Sequence, residues 1–267
     1  MFTKQDADNE NSCFRLSTKR KSMRINQYPL YHTRSCTQLL IVILLVAGAS
    51  LLPLRSSADQ TGATLTGRVI FRGAIPPPEV VTVTRDPTIC GATRTLQPLL
   101  VQSGTHGVLH AVVSLVGTSL PPLIDPPEIT KIANDRCAFN PHVEALRVGQ
   151  PLEVSNRDPL LHNTHITLET RTFFNVAMVA GGKPVKKTIK QPGLFHVRCD
   201  VHRFMQGYVV AFDHPYYSVT PDTGEFRLIG VPPGRHQLTV WHETLGTLQR
   251  EVTVPAQGDV SLTLEFP

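Results

Sequence analysis

The chain has 267 residues and is 41% hydrophobic, enough for one or two domains with cores of their own. Its net charge of +5 hints at a nucleic-acid partner, but residues 1–58 carry eight Lys/Arg against three Asp/Glu, leaving 18 of each sign in the remainder. The part beyond residue 58 is therefore neutral overall, which argues against a phosphate-binding basic surface.

The N-terminal stretch has the layout of an export signal. Arg15, Lys19, Arg20, Lys21, Arg24 and Arg34 form a basic region, residues 39–49 are apolar, and Ala47-Gly48-Ala49 and Ser56-Ser57-Ala58 both offer small-residue cleavage sites. The apolar run is short for a membrane span, which takes about 20 residues. Residues 1–58 are thus expected to be a signal peptide. The alternative is an uncleaved N-terminal anchor extending to Leu54, the only membrane contact expected. Either way the chain is expected to be exported, to a periplasm or a cell surface. Beyond the leader three cysteines remain, Cys90, Cys137 and Cys199. In an oxidising compartment an odd cysteine needs an explanation. The simplest is a Cys90–Cys137 disulfide with Cys199 held by a metal; three reduced, buried thiols are the other option.

From residue 63 onward apolar residues recur with period two. Leu65, Val69 and Phe71 share a face, Val81 and Val83 alternate with threonines, and residues 109–116 are almost continuously apolar, as for a strand buried on both sides. Five further short segments follow between residues 151 and 212, each bounded by Pro, Gly, Asn or Asp. The tail alternates cleanly at Phe226/Leu228, Leu238/Val240, Val252/Val254 and Val260/Leu262/Leu264/Phe266. No sustained helical stripe occurs. The 22 prolines and 18 glycines punctuate short strands, so the expectation is an all-β chain built as a sandwich or barrel. The proline-rich stretch from Ser119 to Asn140 is expected to be a long loop. The segments divide as 59–140, 141–213 and 214–267, the last too small to build much of a core alone.

Chemistry concentrates between residues 158 and 205. Cys199-Asp-Val-His202-Arg-Phe-Met205 follows one strand pattern and precedes another, and His162 lies 37 residues upstream in a turn between two more. One thiolate, two imidazoles and a weak axial thioether make a donor set suited to copper. A tight loop can bring Cys199, His202 and Met205 to one point, and a second strand end must supply His162.

The Cys-x2-His-x2-Met loop resembles the short ligand loop of amicyanin within the plastocyanin-like cupredoxins. The run Val148–Asn163 is similar to their first-ligand strand and turn. The resemblance covers about residues 141–213 and implies a Greek-key β-sandwich or barrel with one mononuclear type 1 copper. It implies His162, Cys199, His202 and Met205 as ligands and Asn163 as the residue tying the first-ligand turn to the cysteine loop. It further implies that His202 lies at the solvent edge, as the exit for electrons.

The remaining histidines read as structural or surface groups. His165 and His196 flank the site, with His196 facing away from Cys199, and His142 is expected to be structural. Within Trp241-His242-Glu243, neighbouring strand residues face apart, which argues against a shared acid–base role. Separately, Thr220–Val240, with its Asp-Thr-Gly and Val-Pro-Pro-Gly turns, resembles the carboxypeptidase regulatory-like domain, a transthyretin-like β-sandwich. That family opens with strands like Thr64–Val69 and Ala111–Leu115, so the copper region reads either as an insertion in a split sandwich or as sharing its sheet with the first strands.

No nucleophile triad, phosphate loop or paired-carboxylate motif stands out, and the chain does not read as an enzyme. The leading expectation is an exported blue copper protein carrying one electron between transiently docked redox partners, with Phe204, Val201, Leu160 and Leu161 as the docking patch around His202. The alternatives are a copper-binding or delivery module without electron transfer, and a non-redox β-sandwich for binding or adhesion.

Overall fold

The computed structural model describes residues 62–117 and 128–267. The leader, with its expected signal or anchor, and residues 118–127 of the proline-rich stretch lie outside them. Among the described residues the chain is all-β, with one four-residue helix, and no sheet closes into a barrel.

Strand β1 (Ala63–Phe71) runs antiparallel to β15 (Glu225–Val231) on one side and parallel to β18 (Val260–Phe266) on the other. A second sheet has the order β14 (Tyr217–Val219), β4 (Val112–Val116), β16 (Gly234–His242), β17 (Gly246–Val254). The inward positions of both sheets, among them Leu65, Val69, Val113, Leu115, Leu238, Val240 and Leu264, form one hydrophobic core. The period-two pattern of the tail follows from this. Each strand presents alternate residues to that core and the others to solvent. In the tail's first turn, Gly224 has φ 74°, and a Cβ there would approach the Val69 carbonyl oxygen to 2.4 Å. Its own carbonyl accepts from Val69 N–H, so the turn is stitched to β1 and only glycine fits.

The second core lies between two other sheets. One has the order β10 (Arg171–Met178), β9 (His162–Leu168), β12 (Gly193–Arg198), β13 (Gln206–Phe212), β7 (Val143–Arg147). The other runs β11 (Val185–Thr188), β8 (Pro151–Asn156), β5 (Thr130–Asn134), β6 (Phe139–Asn140). Ile132, Leu146, Leu152, Val154, Ile166, Phe195, Val197 and Val209 fill the space between them.

The expectation of a loop throughout 119–140 fails in its second half. β5 pairs in parallel with β8 from Thr130↔Leu152 to Asn134↔Asn156. Ile132, Ala133 and Asn134 are buried, and the Asn134 amide donates to Ser155 O (3.0 Å) and Thr164 Oγ1 (3.2 Å). The two bonds hold the amide nitrogen inside the sheet while its Oδ1 is left without a hydrogen-bond partner, and the polar residue interrupts the apolar pattern on which a sequence reading depends.

An arm from between β1 and β4 closes over this second core. β2 (Glu79–Thr82) pairs with β3 (Thr93–Leu96), with α1 (Pro87–Cys90) between them, and Val83 and Cys90 enter the core. Cys90 is joined to Cys137 by a disulfide. Among the described residues Cys199 is the free cysteine, and it is buried.

Candidate metal centre

His162 is the first residue of β9, and Cys199 directly follows β12. The loop from Cys199 to Met205 folds back on itself: Cys199 N–H donates to Met205 O (3.2 Å) and Met205 N–H to His202 O (2.9 Å). β9 and β12 are hydrogen-bonded neighbours, with Arg198 opposite His165. That pairing carries the end of β12 to the start of β9.

The donor atoms converge as a result. His162 Nδ1 lies 3.1 Å from His202 Nδ1, and Cys199 Sγ lies 3.9 Å from His162 Nδ1 and 3.7 Å from His202 Nδ1. All three residues are buried. Bonds of about 2.0–2.1 Å to nitrogen and 2.3 Å to sulfur place such donors about 3.4–3.8 Å apart around one ion. The observed spacings agree to within a few tenths of an ångström, so the donor set fits a single metal. Met205 is 1% exposed, at the end of the same loop and in the same core.

Each imidazole is braced from behind. His162 Nε2–H donates to Asp158 Oδ2 (2.8 Å) and His202 Nε2–H to Asp86 Oδ2 (3.1 Å). A carboxylate on Nε2 fixes the tautomer that leaves the Nδ1 lone pair facing inward. Burial lowers the His162 pKa, against the opposing pull of Asp158. Burial also raises that of Asp158, but the N–H groups of Cys137 (2.8 Å) and Arg136 (2.6 Å), with His162, outweigh it and hold the carboxyl below its ordinary value.

The sulfur is held by backbone donors. Asn163 N–H (3.5 Å) and His202 N–H (3.4 Å) both point at Cys199 Sγ. The Asn163 side chain ties the two segments together. Its Oδ1 accepts from Asp200 N–H (2.6 Å) and Val201 N–H (3.3 Å), and its Nδ2 donates to Asp200 Oδ2 (3.0 Å) and Asn175 Oδ1 (2.8 Å). Burial raises the Asp200 carboxyl, but bonds from His165, Asn175 and Asn163 bring it below its ordinary value.

Two expectations about the surface are corrected. His202 is not at the solvent edge; its side chain is fully buried because the arm lays Asp86 across its Nε2. Leu160 cannot serve a docking patch, because it is buried in the second core, while its carbonyl accepts from the Asn156 amide (2.8 Å). Leu161 is 47% exposed, and Val201 and Phe204 are half-buried against that core.

His165 and His196 lie outside the donor cluster. His165 bonds Asp200 and Thr172, and His196 bonds Gln206 and stacks on Tyr208. His242 is buried, its Nδ1 accepting from Thr244 and Leu245 N–H. His142 meets Glu243, Nε2 to Oε1 2.5 Å. The sequence reading missed both bracing carboxylates. Asp158 stands four residues before His162, the one signal that could have marked it. Asp86 is 116 residues from His202 and carries no local signal.

No protein-family model matches the chain, and no curated protein does. Among solved structures, it is similar over 37% of its length to the Cu-containing nitrite reductase of Thermus scotoductus SA-01, at 19% identity and a TM-score of 0.30, spanning 25% of that chain. It is similar over 31% to a purple cupredoxin from Nitrosopumilus maritimus (18% identity, TM-score 0.28, 99% of that chain). With amicyanin from Paracoccus versutus the similarity covers 38% (14% identity, TM-score 0.30, 97% of that chain). The chain thus spans a quarter of the reductase's length and nearly the whole of the two smaller proteins.

Proposed function

We propose that the chain is an exported type 1 copper protein that carries one electron between partner proteins. The supporting observation is the buried convergence of His162 Nδ1, Cys199 Sγ and His202 Nδ1 at 3.1–3.9 Å. Bound there, copper would supply a one-electron couple. The chain's own residues prepare for it. Asp158 and Asp86 hold both imidazoles in the required tautomer, the Asn163 and His202 N–H groups support the thiolate, and the Asn163 side chain locks the cysteine loop against the first-ligand turn. Met205, buried at the end of the same loop, would be the weak axial ligand. A cluster braced from every side changes little when its charge changes, which suits electron transfer better than metal delivery. His202 reaches the surface through one hydrogen bond, since the Asp86 side chain is 40% exposed. The exit therefore runs through the arm, and a transient redox partner would dock there over a small interface.

Visible absorption and EPR spectra of the copper-loaded, oxidised full chain test this. An intense thiolate-to-copper charge-transfer band with narrow copper hyperfine splitting, abolished in Cys199→Ser, is expected. A colourless protein holding zinc as well as copper would sink the reading in favour of a non-redox β-sandwich. Loss of copper within seconds to a chelator would favour delivery.

A further inference from the structure

The arm that covers His202 has few anchors. Among the described residues 79–96, Val83 and Cys90 are the buried ones, and residues 72–78, which lead into the arm, are all exposed. β2 and β3 pair with each other as a two-stranded sheet, and an isolated hairpin of that kind is marginally stable at best. Asp86 and Arg94 reach the ligand loop from it, Asp86 through its bond to His202 (3.1 Å) and Arg94 by lying 5.9 Å over the Phe204 ring. The covalent tie is the Cys90–Cys137 bridge, which closes a loop across 47 residues of sequence. A cross-link of that span takes much of the arm's freedom away. Cys90 ends the helix that begins after Asp86, and its N–H donates to the Asp86 carbonyl (3.0 Å), so the bridge and the brace on His202 move as one unit. At the other end, Cys137 Sγ, an Asp158 carboxylate oxygen and a His162 ring nitrogen all lie within 4.8 Å of one another. The bridge therefore stands beside the supports of both imidazoles. Cys137 also lies in the wall of a cavity of about 470 Å³ between the halves of the molecule built on the two cores, a route by which a small thiol reaches it.

We infer that the Cys90–Cys137 bridge is a redox latch on the candidate metal centre, opened by a dithiol. One thiolate of the dithiol attacks the Cys137 sulfur, the bridge breaks, and Cys90 leaves as a thiolate that takes up a proton. The second thiol of the dithiol then displaces Cys137 and closes the reagent's own disulfide. Two electrons and two protons pass from the dithiol to the two cysteines. The freed arm lifts, Asp86 leaves His202 Nε2, and an imidazole that is fully buried in the bridged protein is uncovered. With the bridge intact the centre is closed and braced, the state that suits electron transfer. With the bridge reduced the centre opens to exchange of its ion. That last consequence rests on the proposed copper centre; the opening of the arm does not.

Modification of His202 by diethyl pyrocarbonate, mapped by peptide mass, tests the latch on the metal-free full chain. With the bridge intact His202 is expected to be protected. Dithiothreitol, removed before the modification, should convert Cys90 and Cys137 to thiols and raise the His202 rate at least about tenfold, as a local opening does. Cys90→Ala with Cys137→Ala should do the same without reductant. His242, buried in the half built on the first core, should stay protected throughout. A bridge that dithiothreitol leaves intact in the folded chain, or a His202 rate that does not change, would overturn the latch. Equal rises at His202 and His242 in the reduced wild type would make the bridge a staple of the whole fold and overturn it as well. If equal rises occur in the double variant alone, the reduced wild type decides. Copper is read separately: the double variant should lose it to a chelator at least about tenfold faster than wild type, and equal rates would overturn the control of exchange. A wild type that takes up no copper would sink the proposed function and leave the His202 result standing.

Discussion

Asp86 and Cys90 are joined by one turn of helix; Cys90 is bonded to Cys137, and the Cys137 N–H is held by Asp158. One covalent bridge thus connects the carboxylates behind His202 and His162. Asp158 carries most of this arrangement, accepting from two backbone N–H groups and an imidazole while 7% exposed. Asp158→Ala leaves those donors unsatisfied and should cost about 2–4 kcal/mol of metal-free stability, read by urea unfolding. A loss below about 0.5 kcal/mol would mean that water replaces it at no cost. The converging residues Cys199 and His202 were legible in the sequence because they share one short loop with strands on each side, and His162 because it stands in a turn between two strand patterns. Asp86 was not, because its role arises only when a segment more than a hundred residues away folds across His202.

At the scale of elements, legibility followed exposure. β15 to β18 alternate because each has one wet face, and their pattern is visible in the sequence. β5 has Thr130, Lys131 and Asn134 in a five-residue strand, so its single large apolar residue, Ile132, gives no periodicity. Its place comes from parallel pairing with β8, which leaves no turn signal between them. Ile132 is 1% exposed, and Ile132→Ala should destabilise the protein by about 2–4 kcal/mol. Denaturant unfolding of the variant checks this; an exposed loop residue would change stability by less than about 0.5 kcal/mol.

For the molecule as a whole, the residues joining the two halves are sensitive to acid. His214, in the connection from β13 to β14, is buried and accepts from Tyr216 N–H at Nδ1. Burial lowers its pKa below 6.5; Arg147 adds to this, and Asp213 and the Leu115 backbone oppose it. His242 is shifted the same way, chiefly by burial, and His110 is lowered to about 4, by burial and then by His142. A histidine with a lowered folded pKa stabilises the fold fully above its unfolded value, and that stability is lost as pH falls below it. The metal-free protein should therefore melt at a lower temperature at pH 5 than at pH 7.5. Each 1 kcal/mol lost lowers the midpoint by about 2–4 °C in a domain of this size. His214→Gln should reduce the difference in differential scanning calorimetry; an unchanged difference would assign the acid sensitivity elsewhere.

The parallel pairing of β1 with β18 sets an order of events. Leu65 lies beside Val260 and Phe71 beside Phe266, so one flank of the first strand stays unpaired until the last strand has been synthesised. The second core closes mainly through strands between residues 130 and 212 and can assemble while the chain is still emerging. Contacts of such long sequence separation form slowly and leave an open strand edge in the meantime. Until β18 docks, the surface most exposed to misassociation is therefore the unpaired edge of β1 from Leu65 to Phe71, far in sequence from the residues that would hold the metal.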